Sequence, residues 1–285
     1  MKGRILSGII IVVVVALAFL SRLLHPIIFD ALIMALSICC TLELLKSLGD
    51  RVKKAHKWLA IIFPITLFPI AEFLQLFSLI YAVAYILFAL VIVVTTFKQE
   101  VVDGEPQPIN YSEFGTLLLV LLYPTVPLLF LTLINVTLPE QTKLFALLIA
   151  FLSSAASDVF AYLFGSLIKG KKLASAISPN KTLSGTVAGV IASAIVSVAL
   201  YYIFIAFGNN PFGELNTLSV ILFLVISGLF FGVSSQMGDL FESAFKRSIG
   251  VKDTGRLLPG HGGLLDRADS LIFTAVAVYM IYSFL

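Results

Sequence analysis

Cysteine and histidine are scarce in this chain of 285 residues, which has two of the first and three of the second. Cys39 and Cys40 are adjacent inside an apolar run. They can neither staple a loop nor offer the ligand spacing of a zinc site, so they read as small packing residues. Charge is scarce as well: 12% of residues are charged against 59% hydrophobic, and mean hydropathy is +1.05. A soluble domain does not need so much apolar material to fill its core, and a bilayer is the natural solvent. The net charge of +3 is too small a surplus for reading nucleic-acid phosphates across an open surface, so no nucleic-acid partner is expected. No soluble domain and no internal repeat is visible.

What is present is a series of long apolar runs. A helix needs about 20 mostly apolar residues to cross the hydrocarbon core, and about nine stretches qualify. They are Ile5 to Leu24, Ile27 to Leu45, Trp58 to Ile70, Phe73 to Thr96, Phe114 to Leu138, Leu144 to Leu167, Leu183 to Phe207, Thr217 to Met237 and Ser270 to Leu285. The expectation is an all-α, polytopic transmembrane bundle in two parts. Residues 1–113 carry about four spans with basic and acidic loops, and residues 114–285 carry about five spans and the chemistry. The third run is short and expected to end near Pro64 and Pro69. Residues Met1 to Phe19 also fit a leader, with Lys2 and Arg4 ahead of an apolar stretch, but an uncleaved first span is preferred in a chain apolar throughout.

Basic residues orient the bundle, since Lys and Arg stay preferentially in the cytoplasm. With nine spans and a cytoplasmic N-terminus, every Lys and Arg falls inside except Arg22 and Lys143. The expected localisation is the cell membrane, with the polar site facing the cytoplasm. The cluster Lys46 to Lys57 is then an ordinary topogenic loop, and Gln99 to Glu113 a solvated connector.

Charge concentrates between Gly238 and Asp269: Asp239, Glu242, Lys246, Arg247, Lys252, Asp253, Arg256, Asp266, Arg267 and Asp269, with His261 among them. Asp239, Glu242 or Ser243, and Lys246 recur at helical spacing, so one face continuing from the eighth span carries acid, polar group and base. Asp266 and Asp269 share a face where the last span begins. Carboxylates converging beside lysines suit a hard divalent cation and substrate phosphates, whereas zinc lacks softer ligands here. Between them, Pro259-Gly260-His261-Gly262-Gly263 forms a turn whose backbone N–H groups can approach an anion. Mutually solvated ion pairs would explain the charges but not the glycines.

Asp158 interrupts the sixth run, and an ionisable residue at membrane depth costs roughly a few kcal/mol, which points to function. Nearby serines or Tyr162 could instead satisfy it. Asp30, Glu43 and Glu72 fall near span ends where water is close, and are left structural. Gly165 to Lys172 is one residue away from a phosphate loop, but no strand is expected before it and Lys172 replaces the magnesium-binding hydroxyl, so that reading is rejected. Ser178-Pro179-Asn180-Lys181-Thr182 is expected to open the seventh span, either as a phosphate-binding helix start or as an ordinary cap.

The run Ser243-Ala244-Phe245-Lys246-Arg247, then Lys252-Asp253, Pro259-Gly260-His261-Gly262-Gly263 and Asp266-Arg267-Ala268-Asp269 resembles the signature of phosphatidate cytidylyltransferases of the bacterial type, or CDP-diacylglycerol synthases. Ser157-Asp158, Phe164-Gly165, Ser178 to Thr182 and Gly238 to Glu242 are similar to the same family in order and spacing. The likeness covers about the C-terminal half. Ala268 and Asn180 depart from the usual residues without touching a catalytic assignment.

The resemblance implies CMP transfer from CTP to phosphatidic acid with release of pyrophosphate, in a membrane homodimer. It also implies Mg2+, with an accompanying monovalent cation such as K+. On this reading Asp239, Asp266, Asp269 and Asp158 serve the metal, and Asp239, Asp266, Lys246, Lys252 and Asp253 form the catalytic set. Substrate falls to Ser178, Lys181, Thr182, Arg247, His261, Gly262, Gly263 and Arg267. Two other readings stay open: a CTP-using kinase of a lipid alcohol, which would release CDP, and a secondary transporter coupled through Asp158.

Overall fold

A computed structural model describes residues 2–73, 83, 86–87, 90, 101–102, 105–106, 111–255 and 262–284, and they fall into two compact units. The first unit combines Met1–Val136 with Thr254–Leu265, and the second combines Thr137–Asp253 with Asp266–Leu285.

In the first unit, α1 (Lys2–Leu24) leads into α2 (Pro26–Leu48), and α3 (Lys54–Phe73) follows a short 3-10 turn at Gly49–Arg51. His25 caps α2 by accepting from the Ile27 N–H, and Pro26 follows where its missing donor costs nothing. The face Phe29, Ile33, Cys40, Leu44 and Leu48 is buried at helical spacing, and α2 packs against α1 and α3. β1 (Val101–Val102) and β2 (Glu105–Pro106) pair briefly before α4 (Tyr111–Leu122) and α5 (Thr125–Thr137). Polar contacts join these helices. Ser37 Oγ donates to Thr125 Oγ1 over 3.3 Å, and a chain runs from Arg22 Nε to Asn135 Oδ1 (2.7 Å) and from Asn135 Nδ2 to Asp30 Oδ2 (2.6 Å). Such bonds between apolar helices contribute roughly 0.6 kcal/mol each.

The second unit contains α6 (Glu140–Ile168), β3 (Lys172–Ala174), β4 (Ser178–Thr182), α7 (Leu183–Ala206), α8 (Thr217–Ile249) and α9 (Leu265–Tyr282), whose first residue belongs to the other unit. Small residues at every fourth position of α7, namely Gly185, Gly189, Ser193 and Ser197, let α6 and α8 approach its backbone. A Cβ at Gly189 would lie 2.6 Å from the Ser157 carbonyl oxygen, and one at Gly232 2.6 Å from Val190 Cα. Away from the charges, Phe145, Tyr201, Phe212, Phe223, Phe231 and Tyr282 form an aromatic cluster with neighbouring centroids 5.6–6.3 Å apart. Outward faces such as Ile191, Ile195, Leu222, Ile226 and Phe230 stay exposed, as lipid-facing residues do.

Among the described residues, five helical stretches are long and apolar enough to cross a membrane: Pro26–Leu48, Phe114–Thr137, Glu140–Ile168, Leu183–Ala206 and Thr217–Ile249. Gly8–Leu24 is a shorter apolar helix. These five account for part of the expected nine among the described residues. Phe73 to Thr96 lies almost wholly outside the described residues. The third run does not stop at its prolines, because α3 continues through Pro64 and Pro69 to Phe73. A proline removes one donor and need not end a helix packed in apolar surroundings. Phe114 to Leu138 divides at Tyr123–Pro124 into α4 and α5. The two short hairpins depart from an all-α fold, and Ser178–Thr182 is strand rather than the first turn of the seventh span.

Candidate active site

The charged groups gather where the C-terminal ends of α6 and α8 meet the N-terminal part of α9. At 1.5 Å per residue, the 33-residue α8 is roughly 50 Å long, well beyond a hydrocarbon core of about 30 Å. Its last third, from Gly238, is free to carry charge. Gly238 lets α9 lie against this end of α8, since a Cβ there would collide with the Asp269 carbonyl oxygen.

Along α8 the expected spacing produces the expected contacts. Ser243 Oγ donates to Asp239 Oδ1 over 3.2 Å, and Lys246 pairs with Glu242 one turn earlier. Lys246 Nζ also reaches Asp266 Oδ1 at 2.8 Å, tying α8 to the first turn of α9. Glu242 is fully buried, so the lysine is its compensating charge.

The hairpin brings a second lysine. β3 and β4 pair antiparallel with Lys172 opposite Thr182, and the Thr182 hydroxyl caps α7 by accepting from the Gly185 N–H at 3.2 Å. This turns Lys181 onto α8, where Nζ lies 2.7 Å from Asp239 Oδ2. Asp158, in α6, accepts from Ser270 Oγ at 3.0 Å, and Asp269 Oδ1 accepts from the Ser270 N–H at 2.7 Å. Asp158, Asp239 and Asp269 lie close enough to repel one another, and Lys181, Lys246 and Arg267 offset that repulsion.

Asp158, Asp239 and Lys181 border a cavity of about 690 Å³ that is lined also by Lys169, Lys172, Ser178, Thr182 and Gln236, among others. Lys169 and Gly170 belong equally to an apolar groove of about 690 Å³ on the flank of α6 and α7, formed by Phe160, Phe164, Leu183, Val187, Ile191 and Ile195 with their neighbours. A polar chamber and an apolar trough thus share one rim.

Of the residues expected from the sequence, Asp158, Asp239, Asp266, Asp269, Lys181 and Lys246 come together, with Ser178 and Thr182 on the hairpin and Arg267 beside Asp158. Arg247 instead braces the hairpin, donating to the Ile177 carbonyl at 3.2 Å. Lys252 and Asp253 are exposed beyond the left-handed Gly250, and no hydrogen bond or ion pair among the described residues joins them to the cluster. His261 and Arg256 lie outside the described residues, and Gly262 and Gly263 belong to the first unit.

Three residues of the second unit, Glu242, Lys169 and Lys172, join the site without a site role expected from the sequence, and in the first unit Glu43 departs from its expected surroundings. Glu242 stands on the expected acid–base face one turn before Lys246, and Lys169 and Lys172 belong to the rejected phosphate-loop pattern. Glu43, expected near a span end with water close by, is instead buried and accepts the N–H groups of Leu264 and Leu265.

Among the described residues, no three His, Cys, Asp or Glu side chains stand together as a ready metal site. The donors present in the second unit are carboxylate oxygens, the chemistry that magnesium takes and that zinc does not favour. Lysines hold Asp239 and Asp266 in this arrangement.

A model of the cytidylyltransferase family matches residues 2–285. The chain is similar to the phosphatidate cytidylyltransferase of Staphylococcus aureus (strain COL), with 47% identity over 127 residues, and to that of Staphylococcus haemolyticus, with 44% over 127 residues. Each match covers 45% of this chain and 45% of the relative, so the chain spans about half the length of these curated relatives. The phosphatidate cytidylyltransferase of Rickettsia conorii is 34% identical over 176 residues, covering 62% of this chain and 73% of the relative. With the family's pattern running from end to end, this chain belongs to the cytidylyltransferase family.

Proposed function

We propose that the chain transfers CMP from CTP to phosphatidic acid, giving CDP-diacylglycerol and pyrophosphate. The observation that carries this reading is the rim shared by a lysine- and carboxylate-lined chamber and an apolar groove. One substrate of the reaction is a polyanion and the other a phosphate on acyl chains. The lysines and carboxylates suit the nucleotide and head group, and the groove on a lipid-facing flank suits the acyl chains.

In the reaction a lipid phosphate oxygen attacks the α-phosphorus of CTP, and the bond from that phosphorus to the oxygen bridging to the β-phosphate breaks. Pyrophosphate leaves with that bond's electron pair. The nucleophile is already anionic, so alignment and charge neutralisation matter more than a general base. Lys169, Lys172 and Lys181 would bind phosphate oxygens in the chamber. Lys246 would hold Asp266, and Ser270 would hold Asp158. Asp158, Asp239 and Asp269, with Asp266, would hold magnesium, and an accompanying K+ would suit the remaining carboxylate charge. Magnesium bound there would neutralise nucleotide phosphates. A homodimer in the cell membrane with this chamber on the cytoplasmic side completes the proposal, as the family resemblance and the placement of basic residues favour.

The test is incorporation of CMP from radiolabelled CTP into lipid by the purified chain in detergent with phosphatidic acid. The expected products are CDP-diacylglycerol and pyrophosphate, lost with EDTA and restored by magnesium but not zinc. Wild-type inactivity with magnesium present, release of CDP in place of pyrophosphate, or full activity in Asp266→Asn would overturn the reading.

A further inference from the structure

Ahead of α9, Gly255 and Gly263 stand against an anion of the chain itself within the first unit. Glu43, from the C-terminal half of α2, is 7% exposed. Its Oε2 accepts the Leu264 N–H at 2.6 Å and the Leu265 N–H at 3.0 Å. These amides open α9 and have no partner within the helix's own ladder. The glycines leave room for the carboxylate: a Cβ at Gly255 would lie 2.5 Å from Glu43 Oε1, and one at Gly263 2.6 Å from Oε2. Side chains at either position would push the carboxylate away.

Resting on the activity proposed above, we propose that Glu43 is a positioning residue for the cytidylyltransferase signature: its carboxylate fills the space left open by Gly255 and by Gly263 and fixes the N-terminus of α9. The Leu264 and Leu265 amides therefore serve this internal anion and not a nucleotide phosphate. The consequence travels along the chain, because Leu265 is followed directly by Asp266, Arg267 and Asp269 in the first turns of the same helix. A carboxylate at a helix N-terminus answers both the orphan donors and the positive end of the dipole. It also explains why a charge is kept at this place in an apolar helix, 221 residues from its partner in sequence.

The test combines hydrogen–deuterium exchange with the CTP assay on the full chain. Glu43→Ala should speed exchange at Leu264 and Leu265 at least tenfold, leave α6 and α7 unchanged, and lower kcat at least tenfold. Glu43→Gln, which keeps an acceptor oxygen, should retain more than a third of the wild-type kcat. Saturating CTP should leave exchange at these two amides unchanged in the wild type. Wild-type exchange in Glu43→Ala, a kcat as low in Glu43→Gln as in Glu43→Ala, or protection of the two amides by CTP would each overturn the proposal. Should Glu43→Ala fail to fold, Gly263→Ala takes its place, with faster exchange supporting the idea and wild-type exchange sinking it. An inactive wild type would defeat the activity reading, while the exchange measurements would still judge Glu43.

Discussion

Lys246 compensates two acids at once, the fully buried Glu242 on its own helix and Asp266 on α9. Removing one member of a buried ion group leaves an unpaired charge and costs about 3–5 kcal/mol, more than the group contributes when intact. Lys246→Met should therefore lower thermal stability in detergent sharply, and adding Glu242→Gln should recover a good part of the loss. If the double variant were no more stable than the single one, Glu242 would not be the group that needs the lysine. This pairing was legible, since Glu242 and Lys246 stand four apart and Asp239 and Ser243 repeat that spacing. Glu43 was not legible. Its position near a span end gave a sufficient local explanation, and its partners are backbone N–H groups, which leave no trace in residue identity. Lys181 and Asp239 are likewise joined only once the hairpin has turned back onto α8.

At the scale of the element, small residues decide which helices touch. A Cβ at Gly232 of α8 would lie 2.6 Å from Val190 Cα, a backbone neighbour that cannot step aside as a side chain can. Gly232→Ala should therefore cost about 1–3 kcal/mol, as overpacking does. Gly115, in α4, meets nothing within 4 Å, so Gly115→Ala should leave stability unchanged or raise it by about 0.5–1 kcal/mol through better helix propensity. Opposite signs for one chemical change, measured as detergent melting shifts, separate close helix contact from a general dislike of larger residues. Hydropathy located most helices well, because burial in lipid demands long apolar runs. It misplaced the breaks, for a reason that lies in backbone hydrogen bonding. Pro64 and Pro69 sit inside α3, whereas the junction between α4 and α5 falls at Tyr123–Pro124 within an unbroken apolar run. The strand at Ser178–Thr182 escaped because its signals, Pro179 and the capping Thr182, serve equally for a helix start.

For the whole molecule, the charge pattern and the fold of the second unit make one prediction about sidedness. α6 begins at Glu140, beside the outward-assigned Lys143, and ends at Ile168 just before Lys169, Lys171 and Lys172. α8 ends at Lys246 and Arg247, and the carboxylates and lysines of the chamber gather at those two C-terminal ends. The aromatic cluster takes in the opposite ends, with Phe145 near the start of α6, Phe223 near the start of α8 and Tyr282 closing α9. If basic residues set the orientation, the start of α6 faces outward and the chamber faces the cytoplasm, where CTP is made. Glu140 and Lys252 are both exposed, so each can report its side as a single cysteine once Cys39 and Cys40 are replaced by alanine. A membrane-impermeant maleimide applied to intact cells should label Glu140→Cys at once and Lys252→Cys only after the membrane is opened. The reverse pattern would place the chamber on the side away from the proposed nucleotide. Labelling of both in intact cells would mean that the segment after Gly250 reaches the outer face, and the charged end of α8 could then not be a cytoplasmic site.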